Sequence, residues 1–230
     1  MPATENRPQG LADRIYHAVK NDIFTFRLMP GDRFSESEVA ERMSASRTPV
    51  RQALHWLAHE GYVEVASRSG WQVKPFDFNY FEELYDFRIV LEREAVRRLC
   101  GMPPGRCEEH LASLVAFWID APRLEDGMAV SLQDEGFHTR LVAAAGNGEM
   151  ARVHVELTEK IRIIRHLDFT RDDRVAATYN EHARILQAIL EQQTEEAQRI
   201  LTGHISRSKA EVRKITLYRL SQSRSDPASS

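Results

Sequence analysis

The pattern of apolar and polar positions predicts three helices and a hairpin in the first third of the chain. Apolar residues recur at helical spacing from Leu11 to Phe26, and the turn "MPGD" follows. A short helix is then predicted in "SESEVAERM", and a longer one from about Ser46 to Glu60. Two short strands, "YVEVA" and "WQVKPF", are joined by "SRSG" as the strands of a hairpin are.

The rest of the chain shows only helical periods. Roughly six helices are predicted from Asn79 to about Lys214, separated by short Gly- and Pro-containing breaks. The fold class is therefore mainly α: an N-terminal winged helix-turn-helix with a small β-hairpin, then an all-α antiparallel helical bundle. The predicted domains are residues 9–76 and 79–218. The polar termini, residues 1–8 and 219–230, are predicted to be disordered.

Composition and charge narrow the function classes. The formal net charge is −3, which argues against a protein that coats nucleic acid unspecifically. Residues 7–76 nevertheless hold 10 Lys and Arg against 8 Asp and Glu, which permits DNA binding by the N-terminal domain. No apolar run reaches ~18 residues and no secretory signal is visible, so we expect a cytoplasmic protein without a membrane span. Cys100 and Cys107 are expected to be free thiols.

The start of the longer predicted helix carries candidate DNA contacts. The second helix of a helix-turn-helix enters the major groove with its N-terminal residues leading. Arg47 and Arg51 lie one turn apart at that end, and arginine can hold guanine O6 and N7 with two hydrogen bonds. Taken alone, two arginines on a helix are more often a solvated face, but the order of the surrounding elements favours base reading. The predicted DNA-binding residues are Ser44, Ser46, Arg47, Thr48 and Arg51, with Arg68 and Gly70 at the hairpin tip.

The stretch "MPGDRFSESEVAERMSASRTPVRQALHWLAHEGYV" resembles the signature of the GntR family of transcription regulators. It departs from that signature mildly, since Phe34 and Val39 stand where Leu is usual and Ala45 where Val is usual. Some relatives carry a further base-reading arginine at the position of Ser37, so the resemblance does not identify the operator sequence. It implies sequence-specific binding to double-stranded DNA.

Four ionisable residues fall on the apolar stripes of the C-terminal helices. Asp134 and His138 are one turn apart, His182 shares a stripe with isoleucines and leucine, and His204 follows Leu201. Ligands from facing helices are how bundle cores build metal sites. Three imidazoles and a carboxylate suit Zn, Ni, Mn or Fe(II) rather than Ca or Mg. The spacing alone leaves open a hydrogen-bonded polar core instead.

The segments "DEGFHTRLVAAAGN" and "NEHARILQAIL", followed by the late histidine, resemble the FCD ligand-binding domain of the FadR subfamily. The resemblance covers about residues 79–218. It implies that Asp134, His138, His182 and His204 hold a divalent transition metal. It also implies a carboxylic-acid effector at open metal positions, and a homodimer formed through the bundle.

Arg88 is the predicted effector-binding residue. It lies on an inward stripe, where a guanidinium near a metal would bind a carboxylate with two hydrogen bonds. The alternative is a buried pair between Arg88 and Glu92 at i, i+4 spacing. Arg162 and Arg165, which flank another apolar stripe, are weaker candidates for the same pocket.

These patterns together predict a transcription regulator rather than an enzyme. A homodimer would bind a near-palindromic operator, and a small carboxylic acid would modulate its affinity. One alternative is a metal-sensing regulator in which the ion itself is the signal. A metal-dependent hydrolase or oxygenase is a further alternative, disfavoured because the sequence has no HExxH motif and no clear general base.

Overall fold

The structure is a computed structural model that describes residues 10–25, 27–66, 70–75, 77–124, 126–165 and 172–223. The chain divides into two compact units between Asp77 and Phe78. Within the described ranges, every helix is too short or too polar to cross a membrane.

The N-terminal unit contains three helices and a three-stranded antiparallel sheet. In chain order the elements are α1 (Leu11–Phe24), β1 (Arg33–Phe34), α2 (Glu36–Arg42), α3 (Arg47–His59), β2 (Val63–Val65) and β3 (Trp71–Val73). The central strand β3 pairs with β2 to form the predicted hairpin, and its other edge pairs with β1. The sequence reading missed β1 because two residues are too few to show the alternation of a strand.

Local sequence explains how the helix-turn-helix is built. Ser35 and Glu38 form the predicted capping box of α2, with the Glu38 N–H donating to Ser35 Oγ over 3.2 Å. The turn into α3 passes through Ser44, whose φ of 49° lies in the left-handed region. Gly61, with φ of 83°, directly follows the C-cap of α3. The buried stripe of α3 consists of Val50, Ala53, Leu54 and Leu57.

The C-terminal unit is helical throughout its described part. Its elements are α4 (Phe78–Cys100), α5 (Pro104–Val115), a π-helical turn (Ala116–Asp120), α6 (Gly127–Ala144), α7 (Gly148–Arg165), α8 (Asp172–Leu190) and α9 (Thr194–Ser223). The predicted disorder of residues 219–230 is wrong for 219–223, because α9 continues to Ser223; a helix propagates at little cost once its first turn exists. Residues 1–8 and 224–230 lie outside the described residues.

The core of this bundle is unusually polar for a helical domain. It contains the expected leucines, isoleucines and aromatic rings, but charged and imidazole side chains occupy neighbouring buried positions. These buried residues are Arg88, Glu92, Asp134, His138, His154, Arg165, His182 and His204.

The carboxylate of Glu92 joins three helices inside this core. It accepts hydrogen bonds from Arg88 Nε (2.6 Å) on α4, His138 Nδ1 (2.6 Å) on α6 and His154 Nε2 (3.0 Å) on α7. Burial opposes ionisation of this carboxyl, but Arg88 and His138 hold its pKa well below the usual range. Glu92 is therefore an ionised group whose charge is fully compensated only in the folded bundle.

Replacing Glu92 by glutamine should strongly destabilise the bundle, because Arg88 would keep a buried charge without its carboxylate. We expect a loss of about 3–5 kcal/mol in the free energy of unfolding, measured by urea denaturation with EDTA present so that metal cannot contribute. The matched control is Glu94→Gln on the same helix, which should change stability little because this half-buried carboxylate and its partners Arg97 and Arg98 reach solvent. Equal effects of the two substitutions would contradict the role of Glu92.

Candidate functional site

The structure brings together all four residues that the sequence singled out as metal ligands. Asp134 and His138 come from α6, His182 from α8 and His204 from α9, and one candidate ligand atom from each lies within 4.8 Å of the others. His138 Nε2 is 3.1 Å from His204 Nε2. Asp134 Oδ1 is 3.2 Å from His182 Nε2, 3.6 Å from His138 Nε2 and 3.8 Å from His204 Nε2. We call these four residues the His–Asp cluster.

Two glutamates orient the imidazoles of the cluster. His138 Nδ1 is 2.6 Å from Glu92 Oε2, and His204 Nδ1 is 2.5 Å from Glu181 Oε2. An ionised carboxylate only accepts hydrogen bonds, so the ring protons are assigned to the two Nδ1 atoms. Each neutral ring then presents the lone pair of Nε2 to the other over 3.1 Å. Two facing lone pairs repel each other unless a cation or a proton lies between them.

His182 is held by aromatic packing instead of a carboxylate. Its ring stacks on Phe137 at a centroid distance of 3.7 Å and meets Trp118 edge to face at 4.2 Å. Trp118 lies in the π-helical turn, an insertion that is frequent near functional sites. This packing places His182 Nε2 beside Asp134 without giving it a hydrogen-bond donor or acceptor.

The residues of the His–Asp cluster fit a divalent transition-metal ion. Two ligand atoms about 2.1 Å from one ion are roughly 3.0–3.5 Å apart, which is close to the separations observed. Within the described ranges, Asp134 Oδ1 and His182 Nε2 are buried and make no hydrogen bond, despite the 3.2 Å between them. Buried polar atoms normally have a partner, and an ion bound by both atoms would supply it.

A second buried ion pair supports the aspartate. Arg165 Nη2 donates to Asp134 Oδ2 in a very close contact, which leaves Oδ1 directed at the imidazoles. Burial would raise the pKa of the Asp134 carboxyl, but Arg165, His138 and His182 hold it well below its usual range. Burial lowers the pKa of His204 to about 4, which keeps that imidazole neutral.

The pair between Arg88 and Glu92, the alternative to effector binding by Arg88, is present. Arg88 nevertheless retains a guanidinium nitrogen for another contact. Its Nη2 is buried and has no hydrogen-bond partner among the described residues. Arg165 likewise keeps one such nitrogen, Nη1. Arg162 differs, because it binds Glu135 at a partly exposed position.

Sequence reasoning missed the residues that surround the ligands. Glu92 was considered only as a partner for Arg88, His154 was not singled out, and Glu181 was not recognised as the carboxylate that holds His204. Glu181 also pairs with Arg174 (3.1 Å) and Arg207 (2.7 Å). His154 and Arg165 are eleven residues apart, about three helical turns, and both fall on the apolar stripe of α7. This spacing could have indicated that both side chains are buried.

The predicted DNA contacts lie on the exposed surface of the N-terminal unit. Ser44, Ser46, Arg47 and Thr48 are exposed around the start of α3. Arg51 is exposed too, but its guanidinium binds the Glu36 carboxylate through two contacts of 2.9 Å. This pair fixes the direction of the Arg51 side chain and lowers the pKa of Glu36.

The wing is described only in part. Gly70 has φ of 107°, and a Cβ there would approach the Phe34 carbonyl oxygen to 3.1 Å, so both conformation and space favour glycine. Arg68 lies outside the described residues.

Comparison with known proteins agrees with both units. Residues 11–73 match the gntR family of bacterial regulatory proteins, and residues 83–207 match the FCD domain. The Nta operon transcriptional regulator of Aminobacter aminovorans is 28% identical over 186 residues, covering 80% of this chain and 85% of that protein. The transcriptional repressor RspR of Escherichia coli is 24% identical over 214 residues, covering 91% and 92%.

Solved structures show the same fold. Escherichia coli McbR/YncC superposes with a TM-score of 0.61 at 17% identity, covering 89% of this chain and 98% of that one. A putative transcriptional regulator GntR from Rhodococcus also gives 0.61, at 21% identity, covering 87% and 96%. With the winged N-terminal unit and the helical C-terminal unit both matched, the chain belongs to the GntR family of DNA-binding transcription regulators and carries a C-terminal FCD domain.

Proposed function

We propose that this regulator changes its operator affinity when a small carboxylic acid binds, through a divalent metal, in the FCD domain. One observation carries the proposal. Four candidate ligand atoms converge, and among the described residues neither Asp134 Oδ1 nor His182 Nε2 makes a hydrogen bond. On the neighbouring helix α4, the buried Nη2 of Arg88 also has no hydrogen-bond partner in this part of the chain. A purely structural polar core would leave neither group unsatisfied.

Asp134, His138, His182 and His204 would hold the ion. A transition metal bound there supplies a Lewis acid that attracts a carboxylate oxygen to a free coordination position. Arg88 would bind the effector from α4, while Glu92 and Glu181 keep the lone pairs of His138 and His204 directed at the ion. The family's members act on DNA operators and typically as dimers; we propose a homodimer in the cytoplasm on a near-palindromic operator.

Base recognition is assigned to α3 of the winged unit. Arg47 and Arg51 are proposed to read base edges, and the hydroxyls of Ser44, Ser46 and Thr48 to bind phosphates. Ser46 supports this assignment, because it is the N-cap residue of α3 yet its side chain makes no capping bond there. Arg68 and Gly70 of the wing are proposed to approach the minor groove or the DNA backbone.

A metal sensor would use the same cluster, with the ion alone as the signal. The buried Nη2 of Arg88 favours an organic effector, since a metal ion offers no acceptor for its hydrogen bonds, whereas a carboxylate does. Titrating operator binding with metal, in the absence of any acid, separates the two functions. A full response to metal alone would favour the sensor.

Arg47→Ala should strongly reduce sequence preference while leaving the fold intact. One base-reading contact contributes about 1–3 kcal/mol, so we expect roughly 10- to 100-fold weaker binding to the preferred site. The site is first selected from a random duplex library with the wild-type protein. Affinities for it and for a scrambled duplex are then measured by fluorescence anisotropy.

The control for this test is Arg97→Ala, which removes the same charge from an exposed position on α4. It should leave the ratio of specific to scrambled binding unchanged. An unaltered ratio in Arg47→Ala would refute the recognition assignment.

The double variant His138→Ala/His182→Ala should contain no stoichiometric metal, because two of four ligands are gone. Elemental analysis of protein purified without chelator measures the content. The matched control is His59→Ala/His110→Ala, which removes two exposed histidines and should keep the wild-type metal content. Full occupancy in the first variant would show that the ligand set is wrong.

A further inference from the structure

Two buried arginines beside the His–Asp cluster are each only half satisfied. Arg88 gives Nε to Glu92, and Arg165 gives Nη2 to Asp134. Within the described part of the chain, Arg88 Nη2 and Arg165 Nη1 have no hydrogen-bond partner, although these side chains are only 1% and 4% exposed. An unsatisfied group of this kind is costly, and a charged one more so.

The two guanidinium groups bind carboxylates on either side of one imidazole. Glu92, the partner of Arg88, lies 2.6 Å from His138 Nδ1, and Oδ1 of Asp134, the partner of Arg165, lies 3.6 Å from His138 Nε2. Arg88 on α4 and Arg165 on α7 are therefore each one carboxylate away from the same buried ring.

Two further buried polar atoms belong to the same side of α7. His154 Nε2 faces the Glu92 carboxylate, which leaves Nδ1 as an acceptor, and Thr158 follows one turn later. Neither His154 Nδ1 nor Thr158 Oγ1 has a hydrogen-bond partner among the residues described. The surroundings of the cluster therefore offer donors and acceptors that no protein group uses.

The charge balance indicates what these groups would bind. The buried residues with a fixed charge in the described part of the C-terminal unit are two arginines, Arg88 and Arg165, and two acids, Glu92 and Asp134. Their charges cancel, and imidazoles that bind a metal are neutral. A divalent ion would therefore add two positive charges that no buried group offsets. Leaving them uncompensated is expensive in a low-dielectric interior.

We propose that the effector is a small dianion, a dicarboxylic acid, with one carboxylate at the metal and the second between Arg88 Nη2 and Arg165 Nη1. The inference rests on the proposed metal-dependent effector site and specifies its ligand class. A dianion neutralises the ion and gives both guanidinium nitrogens an acceptor. A monocarboxylate could satisfy the metal, but it would leave the second pair of donors unbound.

The test compares acids that differ in one charge. Protein loaded with one equivalent of Ni²⁺ is titrated calorimetrically with succinate, malate and glutarate, and with succinamate and glutaramate, in which an amide replaces one carboxylate. Charge-assisted hydrogen bonds are worth substantially more than neutral ones, so at least one diacid should bind roughly 50-fold more tightly than its monoamide or than butyrate. Repeating the titrations after EDTA treatment should abolish binding.

Variants then assign the second carboxylate. Arg165→Gln should remove most of the preference for the diacid, and the metal content of the variant is measured because Arg165 also contacts Asp134. Thr158→Val keeps the side-chain shape and removes a buried hydroxyl that has no hydrogen-bond partner among the described residues. It should weaken diacid binding roughly 5- to 10-fold with unchanged metal content. Full wild-type preference in a folded, metal-loaded Arg165→Gln variant would overturn this assignment.

The outcomes separate the two proposals. Equal binding of a diacid and its monoamide to the wild-type protein would overturn the dianion inference and leave the effector site standing. Stoichiometric metal without binding of any acid in the panel would overturn both. The wild-type comparison needs no variant, so the inference stays testable even where Arg165→Gln does not fold.

Discussion

The C-terminal unit depends on carboxylates that are buried, ionised and shared between helices. Glu92 is the clearest case, because one side chain holds Arg88, His138 and His154 on three helices. Asp134 of α6 pairs with Arg165 of α7 through Oδ2, and its Oδ1 lies 3.2 Å and 3.8 Å from the imidazoles of α8 and α9. A buried charge contributes little net stability but is very costly to leave without its partners. The same contacts therefore hold these helices together and orient the side chains of the His–Asp cluster.

This arrangement is compatible with the proposed response of the domain to a ligand. Arg88 Nη2 and Arg165 Nη1, which have no hydrogen-bond partner in the described ranges, are buried, so a ligand reaches them only when side chains or helices move. An effector changes the population of two arrangements only by the difference in its affinity for them. An arrangement in which these donors are accessible would bind an anion more tightly, so the anion would increase the population of that arrangement. Arg88 lies on α4, which begins at Phe78 where the winged unit ends, so a shift of α4 is the shortest covalent route between effector and DNA.

Sequence patterns predicted the order of the helices and of the hairpin strands, and they placed the four candidate metal ligands on inward helix faces. The capping box of α2 and the buried stripe of α3 depend only on residues that are close in the sequence. For that reason their prediction agrees with the structure. The stripes of α6, α8 and α9 placed four ionisable residues inward, and inward residues of facing helices must meet. The two-residue strand β1 and the π-helical turn were not predicted, since neither has a period long enough to detect.

The roles of the residues around the ligands could not be predicted in this way, because contacts between helices define these roles. Glu181 precedes His182 in sequence yet holds His204, which is 23 residues away. Arg165 flanks an apolar stripe and could equally have been a surface residue, as Arg162 is. Only the packing of α7 against α6 distinguishes the two, by placing Arg165 against Asp134.

The two halves of the protein use arginine in opposite ways. On α3, Arg47 and Arg51 are exposed, and the pair between Arg51 and Glu36 directs a side chain at little energetic cost because water surrounds it. In the bundle, Arg88 and Arg165 are dehydrated, so each unsatisfied nitrogen carries a penalty that an anion would relieve. Exposed arginines suit the reading of a highly charged polymer, where phosphates provide much of the affinity. Dehydrated ones suit discrimination between small acids, because a missing carboxylate leaves a buried cation unpaired.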